Sequence, residues 1–206
     1  MERKGINPMT LQDEGGTKGK REAIIEAAAK VFASKGFHSA RVEEIAREAD
    51  VGKGTVYEYF DSKEDLFKKM IDYISSKQIK FLMSDFHGMK NVAEQIERII
   101  LEHLNFMQEH KKTAKLVLSD HFTLSEEMRK WLVAKRDEKI DFIRDLIAKG
   151  IKTGEFRADI DPNTAAHLVF GATAAVGGSV VTSSVSRDIE TVARELKNII
   201  FEGLKS

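Results

Sequence analysis

The chain has 206 residues, 42% of them apolar, and sets 33 Lys and Arg against 33 Asp and Glu for a formal net charge of zero. That length suits one or two compact domains, and balanced charge means that any affinity for nucleic acid must come from a local basic face. Cysteine is absent, which excludes disulfides and thiolate metal sites and fits a reducing cytoplasm.

Two prolines, Pro8 and Pro162, are the strongest breakers in a chain rich in Ala, Glu, Lys, Ile and Leu, so an all-α fold is expected. No charged-then-apolar leader opens the sequence, and a secretory signal is not expected. Residues 1 to 17 are polar, Gly-containing and aperiodic, and read as a disordered arm.

From Lys20 the apolar pattern is helical: Ile24, Ala28, Val31 and Phe32 share a face, and Gly36 supplies a left-handed stop before Phe37. A short second helix, about 42 to 49, buries Ile45, Ala46 and Ala49. Asp50 and Val51 turn the chain, and a third helix runs from Lys53 to Phe60. Ser62, with Asp65 three residues on, gives a capping-box start to a long fourth helix ending near Phe86. Further helices are expected at about 92–110, 113–122, 126–153, 162–185 and 188–203, with Pro162 as an N1 proline behind the cap Asp161. The division falls near residues 61 to 69, giving a head at 18–67 and a body at 68–206.

The stretch AAHLVFGATAAVGGSVVTSSV, 165 to 185, has no charged residue. Its Gly, Ser, Thr and His167 make it weak for a membrane span, and its small side chains favour a close helix–helix interface.

Two short helices joined by a tight turn form a helix-turn-helix candidate. Ile45, Ala46, Val51, Val56 and Phe60 can make its small centre, but Lys53, Thr55, Tyr57 and Tyr59 cannot all bury beside them. The outward face of the third helix is therefore aromatic and basic. Gly54 would let backbone approach a base edge, Lys53 can donate to guanine acceptors, and Thr55 can meet a thymine methyl or a phosphate. Packing is the competing explanation for Tyr57 and Tyr59. The run KGKR, 18 to 21, is either a phosphate-contacting arm or a solvated charge cluster.

The segment GFHSARVEEIAREADVGKGTVYEYFDSKEDLF, 36 to 67, resembles the N-terminal DNA-binding domain of TetR-family transcriptional regulators. The resemblance covers about 18 to 67. It rests on the Gly-aromatic ending of helix 1, Ile-Ala in helix 2, Gly-Thr-x-Tyr-x-Tyr-Phe in helix 3 and Ser-Lys-Glu-x-Leu after it. It implies an all-α homodimer whose larger C-terminal domain binds a small molecule and releases a palindromic operator. Lys53, Gly54 and Thr55 then fall where the recognition helix enters the major groove. Tyr57 and Tyr59 match positions touching phosphate, sugar or a thymine methyl, and Lys63 matches a phosphate clamp at the start of helix 4. The chain departs from the family pattern in three places, the last spanning two positions. Asp50 replaces a turn glycine, Gly52 replaces a capping serine, and Ala40 and Arg41 stand where a hydroxyl residue usually bonds phosphate, with Arg41 able to supply a charged contact instead. Glu58 would lie near the DNA surface.

The resemblance fades beyond residue 70. Phe81, Phe106, Met107, Phe122, Trp131 and Phe170 could line a pocket for a small hydrophobic effector, with His103 and His167 as polar anchors; ordinary core is the alternative. No metal-ligand spacing or cofactor-binding motif is recognisable, so neither a metal nor a cofactor is expected. Gly171, Ala172, Ala174, Ala175, Gly177 and Gly178, with Leu196, Ile199, Ile200 and Leu204, would pair the last two helices across a dimer. A constitutive regulator or activator without a sensor remains an alternative. A helical enzyme is disfavoured, since no Ser-His-Asp ordering, phosphate loop or paired-carboxylate site is recognisable.

Overall fold

A computed structural model describes residues 10–86, 88–112, 114, 115, 125–182 and 188–204, without the side chains of 10–18, 77–85, 203 and 204. Among the described residues the helices are α1 (Thr10–Ser39), α2 (Val42–Glu48), α3 (Lys53–Tyr59), α4 (Lys63–Phe86), α5 (Val92–Glu109), α6 (Glu126–Lys152), α7 (Pro162–Thr182) and α8 (Ile189–Leu204). The fold is all-α, as expected. The helix expected at 113–122 lies mostly outside the described residues. The chain separates into two compact units between Ser75 and Ser76, within α4 and slightly beyond the expected division.

In the first unit, Ile24, Ala28 and Phe32 recur every four residues along α1 and are fully buried. Gly36 breaks the helix with φ 79°, a conformation that costs glycine little, and turns Phe37 inward. The rings of Phe32, Phe37 and Phe67 meet with centroids 5.2 to 5.7 Å apart, two of the three pairs edge-on. Each such pair contributes about 0.5–1.5 kcal/mol beyond its buried area. Ile45, Ala46, Val56, Phe60, Leu66 and Met70 complete this core, while Ala49 and Val51 are only half-buried.

The helix is recorded from Thr10, so the expected disorder does not hold from that residue on; residues 1 to 9 lie outside the described ones. Propagation from an anchored turn adds one hydrogen bond per residue fixed, far cheaper than nucleation. That favours extension of α1 upstream of the packed residues.

Asp50 closes α2 with φ 53°, and the Val51 N–H donates to the Ala46 carbonyl at 2.9 Å. Asp visits the left-handed region more readily than most residues, so the turn survives without glycine. At the next boundary the Asp65 N–H donates to Ser62 Oγ at 3.0 Å, the expected cap of α4.

The second unit is built on α5. Val92, Ile96, Ile100 and Leu104 bury against Ile140, Ile143 and Ile147 of α6, Ala166 and Val169 of α7, and Val192, Leu196 and Ile200 of α8. At the end of α6, Gly150 faces the Phe156 ring: a Cβ there would lie 2.5 Å from ring carbon. Gly154, with φ 76°, reverses the chain so that Phe156 can return.

Glu155 then caps α5 from across the sequence, accepting from the Val92 N–H at 2.8 Å and the Ala93 N–H at 2.7 Å. The carboxylate satisfies donors that have no partner within the helix and meets the positive end of its dipole. Glu155→Ala is expected to destabilise the protein by about 1–2 kcal/mol in urea denaturation. Glu155→Gln should recover part of that loss, because its amide oxygen still accepts.

Among the described residues α7 is the one helix long and apolar enough to cross a membrane. Its Ala165, Ala166, Val169, Thr173, Gly177 and Val181 are buried within this unit. Leu196 and Ile200, expected in the partner-facing stripe, are instead buried in the protomer's own core, as are Val192 and Phe201. The apolar face of α8 is consumed by α5, which leaves Ile199 outside it and 75% exposed. The Leu204 side chain lies outside the described residues.

Candidate nucleic-acid interface

The helix α3 divides sharply between two faces. Val56 and the following Phe60 are buried, whereas Lys53, Gly54, Tyr57 and Glu58 are exposed and Thr55 and Tyr59 half-buried. Tyr57 is 47% exposed, so packing alone does not explain its aromatic ring. A Cβ added to Gly54 would meet nothing within 4 Å. The fold therefore places no demand for glycine there, and the bare backbone leaves room for something outside the chain. Arg41, the N-cap of α2, is exposed on the same unit.

Lys63 is placed differently from a free phosphate clamp. Its ammonium donates to the carbonyls of Ala40 at 3.1 Å and His38 at 3.2 Å, and stands 4.7 Å from the Phe37 ring centroid. Two of its three donors thus tie the start of α4 to the end of α1. Lys63→Met is expected to lower stability by about 1–2 kcal/mol, as hydrogen bonds from a charged donor are lost. It should also flatten the salt dependence of DNA binding by less than the full unit that one free phosphate contact contributes. Arg21, the last residue of the basic run and itself within α1, packs its guanidinium 5.5 Å from the Phe60 ring centroid.

One member of this surface is not apparent from the sequence. Glu43 of α2 places Oε1 2.6 Å from Lys53 Nζ, and the ammonium also lies 5.9 Å from the Tyr57 ring centroid. The hydrogen bond from Lys53 holds the Glu43 carboxyl below the usual range, and the same contact holds Lys53 above its own. Ten positions separate the two residues in sequence, and no helical periodicity spans the intervening turn.

The expected sensor residues of the second unit are only partly brought together. His103 and Met107 face Gly177 of α7, where a Cβ would lie 3.3 Å from His103 Nε2 and 3.3 Å from Met107 Cγ. His103 Nε2 is buried without a hydrogen-bond partner. Burial, reinforced by the Lys139 ammonium, pushes its pKa down to about 4. Phe106 is half-buried against Met107, Ala114 and Val181, and its ring lies 4.7 Å from that of His110. Trp131 is half-buried, and Phe170 packs on the main core. His167 does not serve as a buried anchor: it is exposed, with Nδ1 2.8 Å from the Asn163 carbonyl one turn back. Phe122 and the side chain of Phe81 lie outside the described residues. Two clefts of about 390 and 370 Å³ open instead beside the start of α5, lined in part by Asn91, Glu94, Glu97, Glu155 and Lys197. They contain none of the expected sensor residues. Gly177 is used within the unit, while Gly171 and Gly178 face open space.

A helix-turn-helix head presenting a cationic and aromatic helix face, followed by a separate helical unit, defines a DNA-binding regulator. Residues 24–70 match the family described as bacterial regulatory proteins, tetR family, and residues 89–177 match the tetracyclin repressor-like C-terminal domain. The chain belongs to the TetR family. It is a transcriptional regulator rather than an enzyme. It is 25% identical over 183 residues to the fatty acid metabolism regulator protein of Bacillus subtilis (strain 168), covering 89% of this chain and 92% of that one. It is 26% identical over 209 residues to the HTH-type transcriptional repressor KstR2 of Rhodococcus jostii (strain RHA1), covering 98% of each. Its fold matches that of the regulator FadR from Bacillus subtilis, solved with stearoyl-CoA, with a TM-score of 0.81 at 22% identity over 89% of this chain and 98% of that one.

Proposed function

We propose that this protein binds a palindromic operator as a homodimer and is released by an apolar effector, with long-chain acyl thioesters the first class to test. The exposure of Lys53, Gly54 and Tyr57 together on one face of α3 carries the operator half of this reading. Lys53, Gly54 and Thr55 would meet base edges; Arg41, Tyr57, Tyr59 and a remaining Lys63 donor would meet the backbone. A two-fold protein suits a palindrome, with the two heads about one helical turn of DNA apart or a multiple of it.

The dimer would form through α7 and α8. Leu168 is 55% and Ile199 75% exposed, and Gly171 and Ala175 continue the exposed line along α7. Together they offer an apolar strip with the small residues that let helices approach. The effector class rests on the fatty acid regulator and on the stearoyl-CoA bound by the similar fold. It is also consistent with His103, whose neutral imidazole could donate to a thioester or carboxyl oxygen. An effector releases DNA only by binding the non-operator state more tightly.

Selection of duplexes from a random pool, followed by footprinting with and without stearoyl-CoA, tests both halves. A two-fold symmetric footprint that stearoyl-CoA abolishes is the expected result. A single asymmetric half-site would count against the dimeric operator complex, and a footprint indifferent to acyl thioesters against the effector class.

A further inference from the structure

The ion pair between Glu43 and Lys53 sits on the surface that meets DNA, where a carboxylate is electrostatically out of place. Its contribution to folding is small, because an exposed pair gains little Coulomb energy in water and must order two long side chains. Nor is Glu43 the cap of its helix, although it shares the acidic first turn of α2 with Glu44. Capping falls to Glu44, which accepts from the Arg41 N–H at 3.2 Å and pairs with Lys35 at 2.6 Å. Folding gains little from Glu43 at this exposed position, and its strongest partner is Lys53.

An unrestrained lysine is a compact charge on a flexible stem and accepts any phosphate as a partner. To reach a phosphate, Lys53 must leave Glu43 or share its protons with it. Either way a carboxylate is brought beside the polyanionic backbone. The major-groove edge of a G·C pair poses no such conflict. Guanine offers N7 and O6 as adjacent acceptors, and cytosine offers its N4 amino group as a donor. The ammonium has donors beyond the one used by Glu43, and the carboxylate has acceptor sites beyond the one used by Lys53. Held 2.6 Å apart, the two groups present a donor next to an acceptor. An A·T pair shows acceptor, donor and acceptor in turn, so the unit can match adenine N7 and N6 but loses the third contiguous bond that guanine O6, between N7 and the cytosine amino group, allows.

We propose that Glu43 and Lys53 act as one unit that selects a G·C pair in each operator half-site and weakens binding to all other duplex DNA. Glu43 is thus a specificity-determining residue, acting through attraction to one base pair and repulsion from the rest. The assignment rests on α3 being the recognition helix, and the experiment separates the two claims.

Full-length protein is titrated by fluorescence anisotropy with an operator selected from a random pool. The same measurement is made with copies in which each G·C pair of a half-site is changed in turn to A·T, and with an unrelated duplex. For the wild type, one such change per half-site should weaken binding by about tenfold. Glu43→Gln should cut that penalty below about threefold and tighten binding to the unrelated duplex. In a Lys53→Gln background, Glu43→Gln should leave the base-pair penalty unchanged, because the partner through which it selects is gone. The proposal is overturned if Glu43→Gln leaves both quantities at wild-type values. It is equally overturned if the base-pair penalty changes by the same factor in both backgrounds, or if only binding to the unrelated duplex changes, which is the signature of simple repulsion between Glu43 and phosphate. Wild-type protein that binds no duplex at all would remove the recognition helix itself, and this proposal with it.

Discussion

Phe32→Ala is expected to cost about 3–5 kcal/mol, enough to unfold the head under conditions where the wild type is folded. The ring is fully buried, packs tilted on Phe37 and meets Phe67 edge-on, joining the two strands of chain that bracket the helix-turn-helix. Truncation removes one of the largest fully buried side chains of a small unit. Refilling the space would require α1 and α4 to move together. Urea denaturation followed by circular dichroism should show an early transition, with operator binding lost across the same range. Phe32→Leu, which keeps most of the volume, should lose clearly less. A loss for the alanine variant below about 1 kcal/mol would show that the three rings do not form the centre of the head.

The second large effect is a dependence of stability on pH centred on His103. Its pKa is pushed from the ordinary value of 6.5 down to about 4 by burial and by the Lys139 ammonium. The unfolded chain therefore binds the proton first as pH falls. Stability is complete above 6.5 and is lost progressively down to about 4, by roughly 3 kcal/mol in all and roughly 2 kcal/mol by pH 5. The caps Asp161 and Asp188 act in the same direction but lower. Hydrogen bonds from Thr164 and Thr191 hold their carboxyls below the ordinary aspartate value of 3.8, so their contribution is intact through this window. Comparing urea midpoints at pH 7 and pH 5 should show the decline in the wild type and little of it in His103→Gln. Equal declines in the two proteins would mean that His103 titrates as it does in water.

Local sequence carried much of this architecture because local chemistry sets helix boundaries. Ser62, Asp161 and Gly36 act at the ends of helices where the chain alone predicts them, through contacts within a few residues. The two faces of α3 were legible for the same reason: Val56 and Phe60 continue an apolar pattern that Lys53 and Tyr57 cannot join. Contacts closed by tertiary structure were not legible. Glu155 reaches Val92 and Ala93 across more than sixty positions, and Lys63 reaches His38 and Ala40 across more than twenty. Neither pairing leaves a periodic trace.

The apolar stripe of α8 illustrates a different limit. Leu196, Ile199 and Ile200 look alike in sequence, yet the packing of α5 takes two of them into the core and leaves Ile199 outside. Hydrophobicity marks a residue for burial without naming the partner. The same ambiguity separates His103 from His167. Both lie on apolar helices, but only His103 is enclosed, facing Gly177 across α5 and α7.

The face of α3 is tested most directly by titrating a pool-selected operator duplex with wild-type protein and with the Lys53→Gln, Tyr57→Ala double variant. Complexes should be counted by analytical ultracentrifugation. The proposed interface predicts two protomers per duplex for the wild type and an affinity loss of about 100-fold or more for the double variant, whose fold should be intact by circular dichroism. Wild-type affinity retained by the double variant, or a single protomer on each duplex, would contradict it.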